Sequence, residues 1–335
     1  MKQFYLILGL LAGIILSETN ANAQLHPVIR IYEDDDFFNI RGKGTDEGYT
    51  NGTRIDYFYS KKHRDRFADR WLMPSAGPGS VNTYGWGLMQ VMYTPTNISD
   101  KKYLPNNYPY AGALFLTHDK FSYNPLLKLS FQSETVTGVM GSIALAGPIQ
   151  SWFHGLIGYQ RPEGWSNQLP NDLLLNEQLT MEEEIAHVGR GLEWIAGVTG
   201  YAGTMLDGGG IYQTIRVGWM NPYFNGWSAQ YQGDGLRSGA RKFQLWFFGT
   251  PRAEWTAYNA LLEGGILSKT LNRNDEQKLE GYENRVKRGV AEIDYGLVVT
   301  YKSLTASYTQ KTASAVMKGM GMHEVGNISF FVTLH

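Results

Sequence analysis

The sequence contains no cysteine. That excludes structural disulfides, zinc–thiolate centres and a cysteine nucleophile. It also removes the lipid-bearing cysteine of a bacterial lipoprotein, so any membrane attachment must come from the fold. Charge is scarce and balanced. Asp, Glu, Lys and Arg make up 18% of the residues and the formal net charge is −1, which gives no case for nucleic acid as a partner. Long apolar runs are missing as well. Outside the N-terminal segment, no stretch approaches the ~18 apolar residues of a transmembrane helix. No G-x-S-x-G elbow is present, which leaves a serine hydrolase poorly supported. No second domain and no internal repeat is visible.

What is there points to strands. The chain has 39 glycines, and aromatics make up 13% of it, with 21 tyrosines and 9 tryptophans. That mixture suits an all-β protein with many turns. It suits a membrane barrel better, because aromatic girdles sit at both interfaces. The low mean hydropathy of −0.31 does not exclude a barrel, since each strand turns only every second residue to lipid. At the N-terminus, Lys2, the apolar Phe4 to Leu16 and the small-x-small Ala21-Asn22-Ala23 predict a signal peptide over residues 1–23. Residues 24–335 are then one barrel domain.

Period-two alternation recurs along that domain. Ile55, Tyr57 and Tyr59 share a face opposite Arg54 and Asp56. Ile215, Val217 and Trp219 stand opposite Thr214 and Arg216. Ala291, Ile293, Tyr295, Leu297, Val299 and Tyr301 alternate with Glu292, Asp294, Gly296 and Thr300. Ile328, Phe330 and Val332 close the series. About twelve such segments predict an antiparallel twelve-stranded transmembrane β-barrel. A water-soluble sandwich would alternate in a similar way. The signal peptide, the tyrosine-rich apolar faces and the lack of a second core-forming layer favour the membrane. The glycines of Asp207 to Gly210 predict a hairpin turn, and Asn221 to Ala240 a Gly/Asn/Ser loop. The charged stretches Lys61 to Arg70 and Leu271 to Lys287 are expected to be solvated.

One stretch breaks the pattern. In QSWFHGLIG, Gln150, Phe153, His154 and Ile157 recur at three- and four-residue steps, as on one face of a helix. Gly147-Pro148 is a plausible start and Gly158 a stop. A loop helix with a satisfied histidine would read the same. Ser151 lies three residues before His154, a spacing that is common and mostly incidental on one helix. The other polar clusters near strand ends are Asp34 to Asp36, Tyr49 to Gly52 and the loop carrying Lys101 and Lys102. Carboxylate and hydroxyl oxygens suit a hard cation such as calcium. A histidine near a cation can take a proton from water, and a glutamine amide can donate to an oxyanion. The pieces fit metal-assisted ester or amide hydrolysis.

Taken in order, YEDDDFF, GYTNG, QVMYTP, YPYAG, and QSWFHGLIG running into GWSNQL resemble the outer-membrane lipid A 3-O-deacylase family over essentially the whole mature chain. The resemblance implies a twelve-stranded barrel with a short helix near the active site. It also implies calcium-dependent removal of an acyl chain from the lipid part of lipopolysaccharide, in the outer membrane of a Gram-negative bacterium. His154 matches the family's general base, Gln150 the oxyanion glutamine, Asp35 the essential aspartate and Thr50 a threonine near the metal. Asp34 stands where asparagine is common. Lys101, with Lys102 next, matches a catalytic-loop lysine loosely. Gln160 replaces a carboxylate metal ligand of some members, so Asp34 or Glu163 is expected to compensate. The metal set is therefore Asp34, Asp35, Thr50 and Gln160, around Ca2+. The protein is expected to act as a monomer. The competing readings are a hydrolase of phospholipid acyl chains and a non-catalytic barrel, either a pore or a structural protein.

Overall fold

A computed structural model describes residues 26–41, 48–61, 73–102, 104, 106–234, 239–271 and 285–335. The expected signal peptide and most of the two charged stretches at Lys61 to Arg70 and Leu271 to Lys287 lie outside the described residues. Twelve strands form a closed barrel, each antiparallel to its neighbours in sequence, with the first pairing the last. They are β1 Val28–Asp35, β2 Gly48–Tyr59, β3 Val81–Thr94, β4 Ala111–Asn124, β5 Leu129–Met140, β6 Asp172–Val188, β7 Leu192–Gly203, β8 Leu206–Trp219, β9 Phe243–Asn259, β10 Gly289–Tyr301, β11 Leu304–Ala313 and β12 His323–Thr333. Closure leaves no unpaired strand edge, as a chain crossing hydrocarbon requires. β6 and β9 have 17 residues each, more than the ~9–11 that a tilted strand needs to span, so they rise beyond the apolar band.

The alternation sorts the faces as expected. Ile55, Tyr57, Trp86, Leu88, Leu116, Ile215, Val217 and Phe330 are exposed on the outer wall, while Arg54, Asp56, Thr117, Asp119 and Arg216 are buried inside. The glycine run is a correction. Gly208 to Gly210 do not turn; they lie within β8, paired with Thr256 to Glu254 of β9. The chain reverses before Leu206 instead. A Cβ at Gly208 would stand 2.2 Å from the Trp255 carbonyl oxygen, so glycine here allows close approach of two strands at a bulge.

One end carries the short turns β4–β5, β6–β7 and β10–β11, together with the start of β1 and the end of β12. Short turns mark the periplasmic end of such barrels. The β8–β9 connection at this end was expected to be a plain loop. It instead forms a helix, Trp227–Tyr231, buried within the barrel. Trp227 packs on Phe58 with ring centroids 4.0 Å apart, and Tyr231 stacks on Phe331 at 4.5 Å. Four inward-facing aromatics thus seal that end. At the opposite, extracellular end, Ala260–Glu263 forms a turn of helix whose Leu261 and Leu262 pack with Phe115, Val136, Met140, Leu174 and Met317. Between the two seals the lumen is polar and crossed by ion pairs. Arg54 binds Asp56, Asp119 and Glu134 at 2.6, 3.1 and 2.7 Å, and Arg216 binds Glu193 at 2.7 Å.

Candidate active site

The site lies on the outer wall at the extracellular end, not in the lumen. The β5–β6 connection carries the helix α1, Ala146–Ile157. It ends at Gly158, whose left-handed backbone lets its N–H reach the His154 carbonyl. α1 rests directly on the barrel because β4 offers Gly112 beneath it. A Cβ there would stand 2.3 Å from Ala146. Gln90 on β3 donates to the Ala144 carbonyl at 2.7 Å and ties down the approach to the helix.

Of the four residues expected on one helical face, Gln150 and His154 point in, 3% and 6% exposed, whereas Phe153 and Ile157 are exposed with Trp152 and Leu156. The four-residue step keeps Gln150 and His154 nearly aligned, and the three-residue steps carry Phe153 and Ile157 round to the flank. The outward residues are apolar and stand on the side of the exposed Leu88 and Leu116 of the wall. This places α1 at the lipid boundary with its polar pair turned towards protein.

Each polar group of that pair is oriented. His154 Nδ1 lies 2.5 Å from the Gln160 carbonyl oxygen. A carbonyl only accepts, so Nδ1 carries a proton, and in the neutral ring the lone pair is on Nε2. The Trp165 indole N–H donates to Gln150 Oε1 at 2.8 Å. The charge of His154 is felt at Asp35, at the end of β1, as the smallest of the influences on that carboxyl.

Asp34 and Asp35 part company here. Asp34 faces the lumen, 1% exposed. It accepts from Tyr32, Tyr49, Lys311 and Asn327 at 2.6 to 3.0 Å. Its oxygens are committed to an ion pair inside the barrel, and the expected joint ligand set with Asp35 does not assemble. Asp35 faces the rim. It accepts from the Phe37 N–H at 2.8 Å and from Asn51 Nδ2 at 3.3 Å, and its carboxylate is in side-chain hydrogen-bond contact with that of Asp36. Asn51 also donates to Glu33 at 2.6 Å. Thr50 sits at the β2 bulge beside Asn51, with its hydroxyl 2.6 Å from that of Thr94. Gln160 holds His154 through its backbone, and its side chain is exposed. Lys101 is 76% exposed at its side chain and pairs with Glu163 at 3.0 Å. Both residues expected to compensate for Gln160 are therefore engaged by lysines.

Asp36, Asn51 and Trp165 were not singled out as site residues, although each lies in a motif noted in the sequence. Two carboxylates in contact, as in Asp35 and Asp36, require a proton or a cation between them. Among the described residues no group of three or more His, Asp or Glu gathers as a metal site. A cation here would lean on neutral oxygens as well as on the two carboxylates. Calcium accepts such a set, and zinc prefers nitrogen and sulfur.

The family model of the outer membrane protein LpxR matches residues 6–334. The chain belongs to the LpxR family. Its barrel is similar to that of LpxR from Salmonella typhimurium, with a TM-score of 0.70 and 15% identity over 92% of this chain and 100% of that one. Weaker likenesses are to the β domain of the Bordetella autotransporter BrkA (TM-score 0.44, 7% identity, 92% and 98% covered) and to the translocator domain of NalP from Neisseria meningitidis (0.39, 7%, 99% and 95%). No curated protein sequence matches the chain. Membership of the LpxR family places the protein in the outer membrane of a Gram-negative bacterium, in agreement with its apolar outer wall.

Proposed function

We propose that this LpxR-family barrel is a hydrolase that removes an ester-linked acyl chain from the lipid A part of lipopolysaccharide, with calcium as cofactor. The observation that carries the reading is the state of His154. It is buried on the lipid side of the wall, its Nδ1–H is held by the Gln160 carbonyl, and Asp35 stands beside it. In the neutral ring that arrangement makes Nε2 the basic atom. His154 takes a proton from water as the water oxygen attacks the ester carbonyl. The N–H donors of Gln150 meet the oxyanion. Collapse expels the sugar-side hydroxyl, which recovers the proton from His154, and a fatty acid leaves. Asp35 and Asp36 are the residues that would hold calcium, whose charge would polarise the reacting oxygens. The apolar outer side of α1 accounts for a substrate drawn from the leaflet rather than from water.

The filled lumen speaks against a pore. The test is mass spectrometry of lipid A incubated with the purified protein in detergent and calcium. The expected result is loss of one acyl chain with the parent and none with His154→Ala. Fatty acid release from phospholipid alone would move the substrate to that class. Release from neither would leave a non-catalytic barrel.

A further inference from the structure

We infer that Trp165 is a positioning residue that fixes which end of the Gln150 amide faces the reacting ester. This rests on the proposed role of Gln150 as an oxyanion donor. A glutamine amide is nearly symmetric in shape, and its oxygen and nitrogen can exchange places by a rotation about one bond. Only one of the two orientations presents N–H groups to a developing negative charge. The other presents a carbonyl oxygen, which repels it. Something next to Gln150 must therefore discriminate oxygen from nitrogen.

Trp165 does so, because an indole N–H donates and never accepts. Its 2.8 Å bond to Gln150 Oε1 is buried at both partners, 8% and 3% exposed. In that setting an N–H facing an N–H would leave two donors unmatched, at a cost well above that of an ordinary bond. The amide oxygen is thus held towards the indole, and the NH2 group is the end turned away from it.

The indole itself has little freedom. Its ring lies against Gly147 in the first turn of α1, where a Cβ would stand 2.8 Å away. On its other side Tyr110 packs at a centroid distance of 4.9 Å, and the Tyr110 hydroxyl donates to the Ile98 carbonyl at 2.9 Å. The segment around Trp165 is stitched to the β3–β4 connection by Glu163 N–H to Ile98 O and by Asn167 Nδ2 to Lys101 O. It is also stitched to the end of that connection by Leu169 N–H to Tyr110 O. Two extracellular connections therefore hold one donor against one helix, and the β1 acids are not part of that clamp.

The test is steady-state kinetics on lipid A per folded, heat-modifiable barrel, for Trp165→Phe, Gln150→Ala and the double variant. Trp165→Phe keeps a ring and removes the donor. It is expected to lower kcat by about tenfold, the scale of one misplaced hydrogen bond, with KM unchanged. The double variant should be no slower than Gln150→Ala, because the indole acts only through the amide. A parent-like kcat for Trp165→Phe, or losses that multiply in the double variant, would overturn the inference. If Gln150→Ala itself is fully active, the oxyanion role fails and the inference fails with it, a result distinct from the other two. Should Trp165→Phe not fold, Gly147→Ala pushes the indole aside without removing its donor. The same loss of kcat is expected there, and a parent-like kcat would overturn the inference.

Discussion

Two neighbouring carboxylates, Asp34 and Asp35, end up in different parts of the molecule. Asp34 joins the lumen, where it bonds to polar side chains of β2, β11 and β12. Asp35 joins the rim of the outer wall, where it meets a second carboxylate, an amide and a histidine from a helix. The lumen is crossed by ion pairs: Lys311 with Asp34, Arg54 with three acids, Arg216 with Glu193. At the rim Asp35 contacts Asp36 and shares Asn51 with Glu33. Paired buried charge organises a fold. Carboxylates in contact near a histidine make the rim the place where the proposed cation and base would act. A single step along a strand separates the two roles, because successive side chains point to opposite faces.

The largest expected effect concerns the rim cation. Excess chelator should reduce deacylation to background and added calcium should restore it, with the barrel still heat-modifiable on a gel. Full activity in excess chelator would remove the cation from the rim and leave Asp35 with no role that Asp34 lacks.

Next comes His154→Ala. Activity per folded molecule should fall by the ~10²–10⁴ typical of a lost general base, with folding yield unaltered. A fall in yield accompanied by parent-like activity per barrel would make His154 a packing residue instead.

The pair Asp34→Asn and Asp35→Asn addresses the comparison itself. Asp35→Asn should cost roughly 10–100-fold in activity, as removal of a group that supports a metal or its ligands does, with stability nearly unchanged. Asp34→Asn should leave turnover intact and lower stability by about 1–3 kcal/mol, since Lys311 loses a charged acceptor. Urea unfolding in detergent and product formation per barrel read the two separately, and an exchange of the two outcomes would reverse the assignment.

The smallest effect on activity is expected for Trp227→Ala in the periplasmic seal. It should cost ~3–5 kcal/mol of stability, as loss of a buried large aromatic does, and leave turnover per folded barrel at the parent level. A matching loss of turnover would tie the seal to the site.

Much of this was legible in advance. Twelve alternating segments, their inner and outer faces, and a helix from Gly147 to Gly158 carrying Gln150 and His154 could be read from periodicity, because strands repeat every two residues and helices every 3.6. The glycines at 208–210 misled because residues without side chains carry no alternation, so a strand interior looked like a turn. The connection from Asn221 to Ala240 reads as a plain loop because Gly, Asn and Ser are frequent in it. The polar ones instead bond to backbone, as Gln232 and Asn221 do, and the aromatics fill the barrel. Lys101 could be seen as a basic loop residue, but its pairing with Glu163 depends on two connections meeting.

The sequence by itself determined the barrel, the membrane it suits and the identity of a histidine with a glutamine one turn before it. These rest on local periodicity and spacing, which a one-dimensional pattern contains. Only the tertiary structure decided that Asp35 and not Asp34 stands with His154, that the Gln160 backbone fixes the histidine tautomer, and that Trp165 orients Gln150. Each of those depends on which connection folds over which strand. That is set by barrel closure and by the bare Gly112 surface on which the helix lands, and neither can be read from neighbours along the chain.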